Sequence, residues 1–106
     1  MIKEIDYEPI NSIELRGRVN SLPIESELPS GDVVLEFRLV VPRADRTGVD
    51  TLDLSFWKPV LRRKARKLTV GDVITVNGAL RRRFWQGSSG LRSRSQIEVA
   101  QFAKVN

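Results

Sequence analysis

Residues 71–85 read Gly71-Asp-Val-Ile-Thr-Val-Asn-Gly78-Ala-Leu80-Arg81-Arg-Arg83-Phe-Trp85. From Val73 onward two sets alternate. Ile74, Val76, Gly78, Leu80 and Phe84 fall on one side, and Thr75, Asn77, Ala79, Arg81, Arg83 and Trp85 on the other. A period of two belongs to an extended strand with one face on a core, so the spacing predicts a strand over Val73 to Trp85. Arg82 lies in the core register, and a bulge or the strand's emergence from the core must accommodate it. Gln86-Gly-Ser-Ser-Gly90 supplies a flexible hairpin tip. A last strand returns from about Arg92 to Val105, with Arg92 and Arg94 on the face opposite Ile97 and Val99. Beyond Val99 the alternation blurs and assigns no faces.

The same period recurs upstream. Ser12 to Val19 sets Ile13, Leu15, Gly17 and Val19 against Glu14, Arg16 and Arg18. Asn20 to Gly31 contains Pro23, Pro29 and Ser30-Gly31 and reads as a loop. Val33 to Val41 turns Val33, Leu35, Phe37, Leu39 and Val41 inward and Glu36 and Arg38 outward; Pro42 to Asp50 is a polar connection. In Thr51 to Trp57, Leu52, Leu54 and Phe56 take the core face, leaving Thr51, Asp53, Ser55 and Trp57 on the other. Pro59 suits a first helical turn. Leu61, Ala65 and Leu68 then recur at helical spacing. Pro59 to Leu68 is therefore expected to be a short amphipathic helix with Arg62, Arg63, Arg66 and Lys67 on its solvated face.

Three strands, a helix and two strands give the expected architecture. It is all-β: a five-stranded OB-fold Greek-key barrel with one short helix between strands 3 and 4. Residues 1–10 read as an N-terminal extension of the same unit, and 11–106 as a single domain. A chain of 106 residues buries roughly two-thirds of its unfolded surface, enough for one core. The amino terminus is acidic without an apolar run, and no stretch approaches the ~20 apolar residues of a membrane span. The expectation is a soluble cytoplasmic protein.

Composition narrows the chemistry. There is no His and no Cys, which removes the commonest general base, thiolate metal ligands and His-dependent triads. No carboxylate pair reads as an acid/base couple, and no Gly-rich phosphate loop precedes a helix. Catalysis, a metal site and a cofactor are not expected. The net charge of +5 hides an asymmetry: residues 1–36 carry a net −5, residues 37–57 balance, and residues 58–106 carry +10. The basic part attracts polyanions; it contains Trp85 and begins directly after Trp57.

Single-strand binding needs cations along the phosphates and flat π surfaces for bases. Arg81, Arg83 and Trp85 at i, i+2 and i+4 project from one face of a strand, and Arg92 and Arg94 return across the hairpin. Trp57 lies out of core register by the same parity. A lone Trp is ordinarily a core residue; two that both leave the core register, each beside bases, point to stacking platforms. Lys58, next to Trp57, and the outward Arg16 and Arg38 complete the candidate set.

The chain resembles the bacterial single-stranded DNA-binding protein family. The likeness rests on Asn11-Ser-Ile-Glu-Leu-Arg-Gly17-Arg18-Val19, on Gly31 followed by Val33-Val-Leu-Glu-Phe37-Arg-Leu39, and most specifically on residues 71–85 followed by Gly90, Arg92, Arg94 and Ile97-Glu98-Val99. It covers residues 11–105. The resemblance implies that Trp85 stacks on bases, that Trp57 occupies a stacking-aromatic position, and that Arg81, Arg83 and Arg94 line the binding path. It also implies a dimer or tetramer and partners in replication or repair. Thr51 stands where the family often has a second tryptophan, and residues 42–50 hold no aromatic. Without the family's flexible tail and acidic tip, the sequence resembles a barrel-only relative in the manner of the primosomal replication protein N branch, or a trimmed piece of a longer chain. An RNA-binding OB domain and a protein-interaction module, with the tryptophans as interface anchors, remain open alternatives.

Overall fold

Seven elements form over residues 6–105, the part of the chain that the computed structural model describes. They are β1 (Ile13–Val19), β2 (Ile24–Glu27), β3 (Val33–Pro42), β4 (Val49–Phe56), α1 (Pro59–Ala65), β5 (Val73–Gly87) and β6 (Gly90–Lys104). Half of the expected N-terminal extension, residues 1–5, lies outside the described residues. The strands make one sheet in the order β1-β5-β6-β4-β3-β2, and a β1–β3 pairing closes it into a barrel. β4 and β6 run parallel through Leu54↔Ile97 and Ser55↔Glu98, and every other pairing is antiparallel. The all-β OB-fold is the architecture observed.

The core is the inward register of these strands. Val19, Leu35, Phe37, Leu39, Leu54, Phe56, Ile74, Val76, Ile97 and Val99 are buried, with Leu61, Ala65 and Leu68 from the helical side. Phe37 stacks on Phe56 at 5.0 Å between centroids, and Phe102 meets Phe56 edge-on at 5.4 Å. The parity break after Val99 is a β-bulge. Gly78 pairs with Val99 and Asn77 with Gln101, so Ala100 is an extra residue that flips the register and sends Phe102 inward. Gly78 suits this junction, because a Cβ there would strike the backbone carbonyl of Glu98.

Three expectations need correction. The segment 20–31 is not wholly loop: Ile24–Glu27 pairs with Val33–Glu36 of β3 as an edge strand. All four of its residues are exposed, so it carries no apolar alternation for a reader to find. The ring that closes, β1-β5-β6-β4-β3, has the five strands expected. β2 is a sixth strand added at the edge of β3 outside that ring. The helix lies between β4 and β5, the third and fourth strands of the ring in chain order. The helix ends at Ala65, three residues early, with Leu68 still buried by the following turn. Its basic face is not simply solvated either. Arg62 Nε and Arg66 Nη2 donate to Glu25 Oε2 at 3.0 and 2.7 Å, clasping β2 to α1.

The third correction concerns the long hairpin. Leu80 and Phe84 do not enter the core: they are 50% and 61% exposed. β1 stops pairing with β5 at Ile13↔Gly78, and β4 touches β6 only at Ile97 and Glu98. Beyond those points β5 and β6 continue as a two-stranded arm, paired from Arg81↔Gln96 to Gly87↔Gly90. Arg82 is therefore accommodated by the strand running clear of the barrel, while the bulge sits in β6. Gly90 closes the tip with φ 128°, a left-handed value suited to glycine.

Candidate nucleic-acid interface

Cross-strand partners in a sheet share a face, so the register decides which candidates meet. Arg81↔Gln96, Arg83↔Arg94 and Trp85↔Arg92 are partners on the arm. Glu36↔Ser55 and Arg38↔Asp53 are partners on β3 and β4. Side-chain contacts join the two groups into one outward surface. The Arg83 guanidinium lies 5.4 Å from the Trp57 ring centroid, within cation–π range. Arg94 Nη2 donates to Glu36 Oε2 at 3.3 Å, and Arg83 Nη1 stands 3.7 Å from the same oxygen.

Buried polar side chains hold this surface from beneath. Gln96, 2% exposed, accepts from Arg83 Nη1 through Oε1 at 3.3 Å and donates through Nε2 to Glu36. The Trp57 indole N–H donates to Ser55 Oγ at 3.2 Å, and the buried Ser55 hydroxyl donates to the Ile97 carbonyl at 3.4 Å. Trp57 is thus a half-buried, pinned ring at the end of β4, whereas Trp85 stands free on the arm at 45% exposed. Lys58 follows Trp57 as the exposed residue before the helix.

Arg38 borders the same surface. Its Nε lies 3.6 Å from Asp53 Oδ1, and with Arg94, Glu36, Leu22 and Ile24 it lines an open cleft of about 270 Å³ between β2, β3 and β6. Arg81 is exposed, with Nε 3.7 Å from Glu98 Oε1. Arg16 is not part of the group. It pairs in register with Thr75 and donates to its hydroxyl at 2.9 Å, eight residues along β5 from Arg83, which is roughly 26 Å of extended strand. Arg38, Arg81, Arg83, Trp85, Arg92 and Arg94 therefore lie along one sheet face, Trp57 joins it through Arg83, Lys58 stands just past β4 as the helix N-cap, and Arg16 lies elsewhere.

Three residues of the surface escape a reading by parity alone. Glu36, Ser55 and Gln96 set the positions of Arg83, Arg94 and Trp57. Their roles depend on the β3–β4 and β5–β6 registers, which one sequence does not reveal. Glu36 is legible as outward, but its place among arginines is not.

The arrangement offers two aromatic rings and a row of guanidinium groups on a shallow, open sheet. That combination suits an extended, unpaired polyanion whose bases have free π faces. Among the described residues no cluster of three metal-ligating side chains occurs.

Comparison with known proteins places this geometry. The chain is similar to a solved structure titled "Plasmodium falciparum SSB complex with ssDNA", at 21% identity, with a TM-score of 0.79 over 96% of this chain and 100% of that one. At that identity the likeness establishes the OB-fold barrel. No curated protein matches the sequence significantly. The sequence profile of the single-strand binding protein family matches residues 10–105, nearly the whole chain. The chain therefore belongs to the single-strand binding protein family.

Proposed function

We propose that this chain binds single-stranded DNA with little regard to sequence, bases stacking on Trp57 and Trp85 while Arg81, Arg83, Arg92 and Arg94 follow the phosphates. The observation that carries this reading is the seating of the Arg83 guanidinium 5.4 Å from Trp57, which joins the barrel aromatic to the arginine-rich arm. Membership of the family and the single-stranded DNA in the similar Plasmodium complex support it. Stacking and charge read no base identity, so sequence tolerance follows.

Unpaired strand edges also favour self-association, and we take the working unit to be a dimer or tetramer. Its setting would be replication, repair or recombination in the cytoplasm, where single strands are exposed and partner proteins act. Titration with oligo(dT), followed by intrinsic tryptophan fluorescence, tests the binding reading. Saturable quenching is expected. No quenching, with no competition by unlabelled oligomer, would overturn it. Matched RNA competing more strongly than DNA would move the substrate to RNA.

A further inference from the structure

The opposite face of the arm has its own aromatic site. Leu80, Arg82, Phe84 and Leu91 belong there by parity, since Trp85 and Arg83 take the other face. Phe84 is 61% exposed and Leu91 70%, so neither is used by the core. The Arg82 guanidinium sits 5.7 Å from the Phe84 ring centroid. Arg82 is itself held there: Nε and Nη2 both donate to Ser93 Oγ, at 3.2 and 2.9 Å. An anchored guanidinium beside an open ring repeats, on this side, the pairing of Arg83 with Trp57.

Charge selects the occupant. No acidic residue occurs from Val73 to Ile97, while Arg81, Arg82, Arg83, Arg92 and Arg94 all lie within that span. A second copy of this chain docked through the same face would set its own Arg82 near this one, and like charges in apposition are repelled. A polyanion is attracted. The arm is also narrow, a two-stranded ribbon about 5 Å between strands; among the described residues no third strand pairs with it beyond Gly78 and Ile97, and the Asn11 amide caps the β5 edge at Leu80. A flexible strand leaving Trp85 can cross such an edge.

We propose that Phe84, with Arg82, is a further base-stacking site, so that one nucleic-acid strand wraps both faces of the arm. This rests on the binding reading above and adds to it a second face and a longer occluded length.

The test uses the whole chain with labelled oligo(dT) of increasing length, comparing wild type, Phe84→Leu, Phe84→Tyr and Trp85→Ala by anisotropy. Leucine keeps an apolar side chain but removes the π face, and tyrosine keeps the ring. Phe84→Leu is expected to bind short oligomers like wild type and to weaken on long ones by roughly 5- to 150-fold, the range for one lost stacked base. Phe84→Tyr should behave as wild type at every length. Phe84→Leu matching wild type at all lengths, while Trp85→Ala weakens binding, would overturn the second site and leave the first intact. Failure of wild type to bind any oligomer would instead overturn the underlying reading. A loss of self-association by sedimentation, with DNA binding unchanged, would assign the face to a second copy and reject the proposal.

Discussion

Trp57 and Trp85, the two proposed stacking rings, occupy unlike positions. Trp57 is half-buried, its N–H tied to Ser55 and its ring beside Arg83; Trp85 stands on the arm with only hairpin neighbours. Alanine at either should cost about 1–3 kcal/mol of oligo(dT) affinity through the lost stacked base. Thermal melts should separate them. Trp57→Ala lowers the melting temperature as well, because a packed ring is removed, while Trp85→Ala leaves it nearly unchanged. Equal melting temperatures for both variants would contradict the pinned role of Trp57. Much at this scale was legible in the sequence: parity alone put both tryptophans and Arg81, Arg83, Arg92 and Arg94 on outward faces. What parity could not supply was distance. Arg16 has the same outward signature as Arg38, yet it lies at the far end of β5 beside Thr75, because only the β1–β5 register says where along the barrel it falls. Phe84 was misread for a related reason: its parity is a core parity, but the core stops before it.

Two elements depend on junctions that single substitutions can break. At the β5–β6 bulge, Gly78 lies where a Cβ would run into the Glu98 carbonyl, and backbone on both sides leaves little room to yield. Gly78→Ala should therefore destabilise by about 1–3 kcal/mol, read as a lower urea midpoint with an unchanged slope. An unaltered midpoint would show that the bulge relaxes freely. The β2–α1 clasp predicts a pH effect. Hydrogen bonds from Arg66 first, and then from Arg62, hold the Glu25 carboxyl below the ordinary glutamate range, against a partial burial that opposes them. A lowered folded-state pKa means stability that is present above the unfolded value, about 4.3, and is lost as pH falls through the folded one. Wild type should exceed Glu25→Gln in stability at neutral pH, and the gap should close on acidification below about pH 4. A gap constant with pH would sink this account. The strands themselves were readable from alternation, and the helix from Pro59, Leu61 and Ala65. β2 was not, since Ile24–Glu27 is exposed throughout and is a strand only because β3 offers it an edge. The blurred pattern after Val99 was a true signal of the Ala100 bulge, but a blur does not say which residue is extra.

For the whole molecule, the charge asymmetry along the chain survives folding only in part. Glu25 and Glu36, from the acidic first third, lie against Arg62, Arg66, Arg83 and Arg94 from the basic half, so the two halves interlock rather than present separate acidic and basic sides. On the arm, Glu98 and Glu36 partly offset Arg81, Arg83 and Arg94, while Arg82 and Arg92 make no ion pair among the described residues, so the arm keeps a net positive charge for the proposed contact with DNA. The barrel supplies a fixed ring in Trp57 and the arm supplies exposed rings and guanidinium groups. Affinity should accordingly divide into a stacking part that is insensitive to salt and a phosphate part that is not. The most direct measurement is an oligo(dT) titration across a range of salt concentrations, on wild type and on Trp85→Ala. If about four phosphates are neutralised, log affinity falls against log salt with a slope near −3. Trp85→Ala should give a parallel line displaced to weaker binding, because the phosphate contacts are kept and a stacked base is lost. A wild-type line that is flat with salt, or a Trp85→Ala line that overlies it, would contradict binding by stacking and phosphate neutralisation on this face.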